Sequence, residues 1–276
     1  MSDTIQRASD RPEAPKDLAD WLLARGRHWI TTSEVAELLG IPRDHVRALT
    51  SRLREKKQLF SPTRGAYVPI PPEYRSWGTV PASHFIDALM KHLGHDYYVG
   101  YLSAAEVHGS AHQRPQVFQV LTPARIKDRS FGRVHIEFTS SAHLAERPAV
   151  TVNTPTGVMR VSNPEVTVFD LVADPQNGGG LSNIATVIAE LLEGSRLSSA
   201  SLAEVGAIYP VAIRQRTGWL IESLLPGIDA EFDLTALEQS ANGRAEPTPL
   251  AAAGRRAGPL DERWNVLVNI QVEPDL

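Results

Sequence analysis

Two histidines four residues apart, His108 and His112, are the first candidates for chemistry, in the stretch AEVHGSAHQRP. On a continuous helix this spacing puts both imidazoles on one face, where they could bind a zinc ion together with a third ligand. Gly109 lies between them and Pro115 follows, so the helix is expected to end near the glycine. The chain also has no cysteine to supply a thiolate. We therefore expect a structural turn without a metal. A metal-dependent hydrolase centred on these histidines is the least favoured of three hypotheses for the function.

Other patterns typical of catalysis are weak in this sequence. The glycine run 178–180 is not followed by the Lys-Ser or Lys-Thr of a phosphate-binding loop, so we expect a turn. Asp170 and Asp174 lie four residues apart, but Pro175 ends that helix and a solvated pair of like charges is the simpler interpretation. The GxSxG motif of serine hydrolases is missing. The sequence thus predicts a protein that is not an enzyme and uses no cofactor.

Composition indicates the class of protein and its compartment. With 276 residues, 42% hydrophobic and 22% charged, the chain resembles an ordinary soluble protein long enough for two domains. No apolar run approaches the length of a membrane span, and the polar N-terminus lacks the apolar core of a signal peptide. Without cysteine no disulfide forms. These features predict a cytoplasmic protein that does not contact a membrane.

Charge is unevenly distributed along the chain, although the formal net charge is only -4. Residues 1–77 carry 13 Lys and Arg against 10 Asp and Glu, whereas the remaining residues carry 15 against 22. Between Arg25 and Tyr67 the balance is 9 against 4. A basic segment in an acidic protein indicates a local contact with a polyanion, and a solvated charged helix is the alternative.

The basic segment has the pattern of a helix-turn-helix. The stretch KDLADWLLAR, 16–25, predicts a first helix from its apolar spacing. Thr31 and Glu34 form a capping-box pattern before a short second helix that ends at Gly40. Pro42 then suits the first turn of a third helix, since its missing N–H would have no partner there. The connection between the second and third helices is therefore tight.

A helical wheel separates the third helix into two faces. Val46, Leu49 and Leu53 share the stripe expected to face the core. A separate, exposed face carries four side chains predicted to enter the major groove of DNA: Arg43, Arg47, Ser51 and Arg54. Guanidinium groups bind guanine edges or phosphates through two parallel hydrogen bonds. This face predicts double-stranded DNA as a partner, and a protein-binding winged helix is the alternative for this domain.

The stretch LFSPTRGAYVPIP predicts two short strands joined at a basic tip, which would form a wing. Arg64 at the tip, with Lys56 and Lys57 at the end of the third helix, is expected to contact DNA phosphates. Tyr67 either packs beneath the helix or donates a hydrogen bond to the DNA backbone, and we favour packing.

The predicted fold class is mixed α/β (α+β). We expect a flexible tail at 1–14, a winged helix-turn-helix at 15–76 and a larger mixed α/β domain at 77–276. Within the larger domain, Asn163 as N-cap and Pro164 at the first helical position predict the start of a helix.

Three further segments of the larger domain are predicted to be exposed or extended. ARIKDRSFGR reads as a hairpin or loop, and its cations could contact nucleic acid or a partner protein, the alternative being a solvated hairpin. These cations are Arg125, Lys127, Arg129 and Arg133. The segment 241–260 has the composition of an exposed loop. Apolar residues alternate over 264–272, which predicts a terminal strand that pairs with the sheet of this domain.

Three groups of residues together carry a resemblance to a known family. They are the helix-turn-helix with its RGAYVP wing, the segment YLSAAEVHGSAHQRPQVFQVLTP, and GVMRVSNPEVTVFDLV followed by a glycine-rich turn and a helix. Over nearly the whole chain the pattern resembles the AbiEi family of type IV antitoxins, the partners of nucleotidyltransferase-like toxins in phage-defence and toxin–antitoxin operons. Val166 departs from the pattern, because arginine is more usual at that position.

The resemblance implies that the winged helix represses the protein's own operon at inverted repeats and that the second domain helps to oppose the toxin. Inverted repeats would match a dimer on the DNA. The resemblance also implies a structural role for an HGxxxQ-like element, His108, Gly109 and Gln113, as polar anchors in a turn, with His112 at the surface. The alternative function is a protein-interaction module that neutralises the toxin by direct binding, with DNA contact secondary.

Overall fold

The computed structural model describes residues 11–110, 116–228, 231–243 and 246–274. Its secondary structure is mixed α/β, as predicted. The chain divides into two compact units. The first unit, which we call the N-terminal unit, contains the described residues up to Asp96 together with Asp128–Ile136 and Asn153–Met159, and the remaining described residues form the second unit. The N-terminal unit thus includes two segments that lie after residue 77.

The first part of the chain contains the elements expected of a helix-turn-helix with a wing: α1 (Leu18–Ala24), α2 (Thr32–Leu39), α3 (Arg43–Glu55), β2 (Leu59–Thr63) and β3 (Ala66–Pro69). It also contains a short strand, β1 (Ile30–Thr31), and a later helix, α4 (Ile86–Leu93). The strands form an antiparallel sheet in the order β1, β3, β2. Strand β1 was not expected, because two residues are too short to show an alternating pattern.

One apolar cluster joins α1, α2, α3 and the three strands of this sheet. It contains Leu18 and Leu22 of α1, Val35 of α2, and Val46 and Leu53 of α3, all nearly inaccessible to solvent. Each of these side chains lies on the apolar stripe that the helical period predicts. Burial of the stripe leaves the polar faces of the helices outside.

The middle of the chain forms a six-stranded sheet and a short helix. The elements are β4 (Tyr98–Val99), α5 (Tyr101–Val107), β5 (Phe118–Thr122), β6 (Arg129–Phe131), β7 (Val134–Ser140), β8 (Ala149–Thr154) and β9 (Gly157–Ser162). The strand order is β6, β7, β5, β4, β9, β8. Strand β4 is antiparallel to β5 and parallel to β9.

Helices dominate the rest of the second unit and enclose the largest apolar cluster. They are α6 (Pro164–Ala173), α7 (Leu181–Glu193), α8 (Ser199–Gly206), α9 (Val211–Leu224) and α10 (Thr235–Ala241). The side chain of Asn163 accepts a hydrogen bond from the Val166 amide at 2.8 Å, which confirms the predicted N-cap of α6. In the described ranges, no helix is long and apolar enough to cross a membrane.

Two predictions near the C-terminus are wrong. Strands β10 (Thr248–Pro249), β11 (Leu260–Asp261) and β12 (Val266–Leu267) form a separate small sheet, so the predicted strand 264–272 is two residues long and does not join the six-stranded sheet. Its alternating pattern fails because Ile270 is 45% exposed. The predicted exposed loop 241–260 contains buried residues at 248–250, because β10 pairs in parallel with β12.

Candidate nucleic-acid interface

The turn between α2 and α3 is set by local hydrogen bonds. The Thr31 amide donates to Glu34 Oε2 at 2.7 Å and the Glu34 amide donates to Thr31 Oγ1 at 3.3 Å, so the predicted capping box is confirmed. Arg27 donates to the other oxygen of Glu34 at 3.1 Å. Gly40 ends α2 with a left-handed φ of 62°, a conformation that glycine adopts without a steric penalty.

Helix α3 buries one face and exposes the other, as the helical wheel predicts. Val46, Thr50 and Leu53 are buried, and the Thr50 hydroxyl donates to the Val46 carbonyl at 2.9 Å. Pro42 is the N-cap of α3 and not its first helical residue. The helix therefore begins one residue later than the sequence indicated, which leaves its faces unchanged.

The four predicted groove residues, Arg43, Arg47, Ser51 and Arg54, are all exposed along α3. Among the described residues, the three guanidinium groups have no ion-pair or hydrogen-bonding partner. The Ser51 hydroxyl is 3.4 Å from Glu55 Oε1. Positive charge without an internal partner favours a contact with an external anion.

Three other cations lie at the end of α3 and at the wing. Lys56 is the C-cap of α3 and is exposed. Lys57 is exposed too, but it has a left-handed φ of 53° and its Nζ lies 3.5 Å from the Ser76 carbonyl oxygen. Arg64 is exposed at the turn between β2 and β3, beside Gly65. Within the part of the chain that the structure describes, Lys57 is the one of these three cations with a polar contact.

Tyr67 of β3 packs into the apolar cluster of the helix-turn-helix and is 9% exposed. The packing interpretation is therefore confirmed. Its aromatic ring contributes to the support of α3, since α3 contributes Val46 and Leu53 to the same cluster.

The basic segment after β5 is a hairpin, as predicted, because β6 pairs antiparallel with β7. Its four cations differ in environment. Arg125, Lys127 and Arg133 are exposed, and the Arg133 guanidinium lies 5.8 Å from the centre of the Trp77 ring. Arg129 is half-buried and donates a hydrogen bond to the Pro62 carbonyl in the wing. The structure thus does not present all four cations together to solvent.

His108 is a half-buried anchor at the end of α5. Its Nε2 lies 2.7 Å from the Ser162 carbonyl oxygen, and burial lowers the pKa of the imidazole although this hydrogen bond acts in the opposite direction. Gly109 follows with a left-handed φ of 82°. The half-buried position and the hydrogen bond to Ser162 are those expected of a polar anchor. His112 and Gln113 lie outside the described residues.

A buried ionic cluster in the second unit was not predicted. Asp170 is 2% exposed, and its carboxylate accepts hydrogen bonds from Tyr98, Arg147 and Tyr209 at 2.7, 2.8 and 2.7 Å. The interpretation of Asp170 and Asp174 as a solvated pair is wrong for Asp170. Burial raises the pKa of Asp170, whereas Arg147 and the tyrosine hydroxyls act in the opposite direction.

A sequence signal for this cluster exists in hindsight. Asp170 stands in EVTVFDLV, among apolar residues that a helix must bury. An acid at such a position needs a partner, because burying an unpaired carboxylate is costly. The partners themselves come from three other segments of the chain and have no local signature.

The fold defines the class of mixed α/β proteins, and the exposed face of α3 carries three arginines. The chain is similar in fold to the RV2827C protein from Mycobacterium tuberculosis, known from a crystal structure, with a TM-score of 0.65 over 93% of this chain and 92% of that chain. The two sequences are 16% identical, so this likeness shows the fold alone.

Residues 98–223 match the AbiEi antitoxin C-terminal domain, so this segment of the chain is an AbiEi-type antitoxin domain. The resemblance noted in the sequence is thereby confirmed for the family. The match supports an antitoxin role in a toxin–antitoxin system, and AbiEi antitoxins are not an enzyme family. A comparison with curated proteins gave no match.

Proposed function

We propose that this AbiEi-family protein is a type IV antitoxin that binds inverted repeats in its own promoter and represses its own operon. The observation that carries the proposal is the exposed face of α3, where Arg43, Arg47 and Arg54 have no partner among the described residues. In a helix-turn-helix, the second helix of the motif is the one that enters the major groove. Its exposed side chains are then the ones that meet the base edges.

The chemistry of this face suits recognition of guanine. An arginine donates two hydrogen bonds to O6 and N7 of guanine, a pattern that no other base pair presents in the major groove. A serine hydroxyl such as that of Ser51 donates or accepts and therefore suits a flanking base or a phosphate. We assign Arg43, Arg47, Ser51 and Arg54 to the groove.

Lys56, Lys57 and Arg64 suit contacts with phosphates on either side of the groove. Phosphate contacts set position and affinity but carry no sequence information, and they make binding depend on salt. Lys57 would have to give up its contact with Ser76, so we expect it to contribute less than Lys56.

The decisive experiment measures binding of the purified chain to its own upstream DNA and to random duplex of equal length, across a salt series. Tight, sequence-selective binding would support the repressor. Each phosphate contact contributes a slope of about -0.9 to the dependence of log K on log salt. Lys56→Ala should therefore weaken binding to both duplexes and flatten the slope by about one contact. Equal affinity for the two duplexes would contradict the proposal.

We further propose that residues 98–223 counteract a nucleotidyltransferase-like toxin in a phage-defence operon. The family match supports the antitoxin role, and the resemblance seen in the sequence is what suggests a nucleotidyltransferase-like toxin. Co-expression with the toxin gene, followed by growth measurement, tests the role. Gel filtration of the two purified proteins then separates the mechanisms. Growth rescue without a stable complex would support type IV action, whereas a stable complex would support neutralisation by direct binding, with DNA contact secondary.

A further inference from the structure

Strand β2 of the wing contains a bulge directly before the tip. The register between β2 and β3 shifts between Phe60 and Thr63, so that Ser61 and Pro62 lie opposite Tyr67 alone. A bulge bends its strand and changes the direction of the residues that follow. Proline, which cannot donate to a ladder, is typical of such positions on an edge strand. The direction of the wing tip therefore depends on how this bulge is held.

Arg129 of β6 holds the bulge from outside the wing. Its guanidinium Nη1 donates to the carbonyl oxygen of Pro62, at the centre of the bulge. The side chain is half-buried, in contrast to the exposed Arg64 two residues beyond Pro62. A guanidinium committed to a main-chain carbonyl has fewer donors left for an external phosphate.

Phe131 of the same hairpin packs against the base of the wing. Its ring centre lies 5.6 Å from that of Phe60 and 6.0 Å from that of Phe85, while the Phe60 and Phe85 rings are 5.1 Å apart. The three rings meet at steep angles, which is a favourable arrangement for aromatic pairs.

The turn of the hairpin is also closely fitted. Gly132 has a left-handed φ of 56°, and a Cβ at this position would lie 2.5 Å from the Trp77 carbonyl oxygen. Main chain cannot move aside as a flexible side chain can, so any residue larger than glycine would push the hairpin away. The positions of Arg129 and Phe131, which directly precede this turn, are therefore closely fixed.

We propose that the β6–β7 hairpin is a brace for the wing, with Arg129 and Phe131 as positioning residues for Arg64. The inference rests on the proposed DNA-binding function and gives Arg129 a role different from that of the exposed Arg125 and Lys127. Arg129 affects DNA binding by fixing the bulge, and hence the direction of Arg64, without touching DNA itself.

A double-mutant cycle on the full chain tests this role with operator DNA as the probe. Arg64→Ala removes the wing contact and should weaken binding roughly three- to ten-fold. Arg129→Ala should weaken it to a similar extent or less. The double variant should bind like Arg64→Ala alone, because the brace has no effect once the tip cation is gone. An independent phosphate contact by Arg129 would instead add its own loss, and this result would overturn the brace.

Phe131→Ala provides a variant in which no charge changes. It should weaken operator binding and reduce the salt slope by about one contact, as Arg64→Ala does, because the displaced tip loses its phosphate. Phe131→Leu, which keeps most of the volume, serves as the milder variant if the alanine variant does not fold. Amide hydrogen exchange at residues 59–69 shows whether the wing of a folded Phe131 variant has become mobile. If the wing is mobile and the variant still binds operator with wild-type affinity, the proposal is overturned.

Lys127→Ala is the matched control for loss of charge near the hairpin, since Lys127 is exposed and has no hydrogen bond or ion pair with another described residue. Its effect should be additive with that of Arg64→Ala. If Arg64→Ala binds operator with wild-type affinity, the wing has no part in the proposed DNA binding, and the proposal of a brace is overturned. If Arg64→Ala weakens operator binding and Arg129→Ala adds its full loss to that effect, the brace is overturned but the proposed function is not.

Discussion

The hydroxyl of Tyr209 donates to Oδ1 of Asp170 at 2.7 Å, and Arg147 donates to the same oxygen at 2.8 Å. Tyr98 donates to the second oxygen at 2.7 Å, so both carboxylate oxygens are satisfied inside the protein. Burial of a carboxylate is tolerated when a cation and hydrogen-bond donors surround it in this way. All four residues lie within the segment that matches the AbiEi antitoxin domain, so the cluster is part of that domain's interior.

Asp170→Asn should destabilise the protein strongly. The change removes the counter-charge of Arg147, whose side chain is only 15% exposed, and leaves a cation with little access to water. Removal of one partner from a buried ion pair costs about 3 to 5 kcal/mol, and partial exposure of Arg147 places our expectation near the lower limit. Urea unfolding followed by circular dichroism measures the loss.

Asp174→Asn is the control for this substitution, because Asp174 is only half-buried and accepts its hydrogen bond from its neighbour Asn177. We expect a loss below about 1 kcal/mol. Equal losses for the two variants would show that the ionic cluster contributes nothing specific.

Acidification should destabilise the fold through His108. Burial lowers the pKa of this imidazole from its ordinary value of 6.5, so the unfolded chain binds a proton at a higher pH than the folded chain does. The resulting stabilisation is present above pH 6.5 and is lost as the pH falls through the lower folded-state pKa. His108→Gln does not titrate, so its free energy of unfolding should fall less than that of wild type between about pH 7.5 and pH 5.5.

Burial also lowers the pKa of His28 and His84, so part of the acid sensitivity should persist in the His108 variant. Unfolding titrations at matched salt measure both slopes. Identical pH dependence in wild type and variant would show that burial of His108 does not favour the neutral imidazole.

The Trp264 ring packs against α9 at Gly218, where the absence of a side chain leaves space for it. A Cβ at Gly218 would lie 2.0 Å from the Trp264 ring, whose Nε1 donates to Glu222 at 2.6 Å. Gly218→Ala must displace the ring from a site where it is 1% exposed, at a cost of about 1 to 3 kcal/mol. Denaturant unfolding measures the loss, and the emission of the displaced tryptophan should move to longer wavelength. Gly227 has open space around it, so Gly227→Ala should leave the midpoint of denaturant unfolding nearly unchanged. An equal loss of stability in the two variants would contradict the argument that Gly218 makes room for Trp264.

Features that depend on neighbouring residues could be predicted from the sequence. The two faces of α3 follow from the helical period, and the caps at Thr31 and Asn163 follow from side chains that bond to amides within the first turn. The exposed face of α3 was predicted for the same reason, since burial of Val46 and Leu53 determines which side chains remain outside.

Features that depend on distant residues could not be predicted. Asp170 meets Tyr98, Tyr209 and Arg147 across 72, 39 and 23 residues of sequence, and no local pattern indicates such a meeting. Arg129 looked like the other cations of its segment, because its partner is a carbonyl 67 residues away. The alternation over 264–272 was misleading for a related reason. A strand needs neighbouring strands that bond to its backbone groups, and β12 pairs with β10 and β11 along two residues only.

Arg47→Ala should reduce operator affinity by about 1 to 3 kcal/mol and relax the preference for one base pair, while affinity for random duplex falls much less. The matched control lies on the same helix. Arg52 is also exposed, but it stands at about 140° from Arg47 on the helical wheel and outside the predicted groove face. Arg52→Ala removes the same charge, so a purely electrostatic contribution would make the two variants alike. Fluorescence anisotropy with operator and random duplexes at two salt concentrations separates the cases. A groove contact predicts a specific loss for Arg47→Ala alone, and equal losses on both duplexes would exclude Arg47 from base recognition.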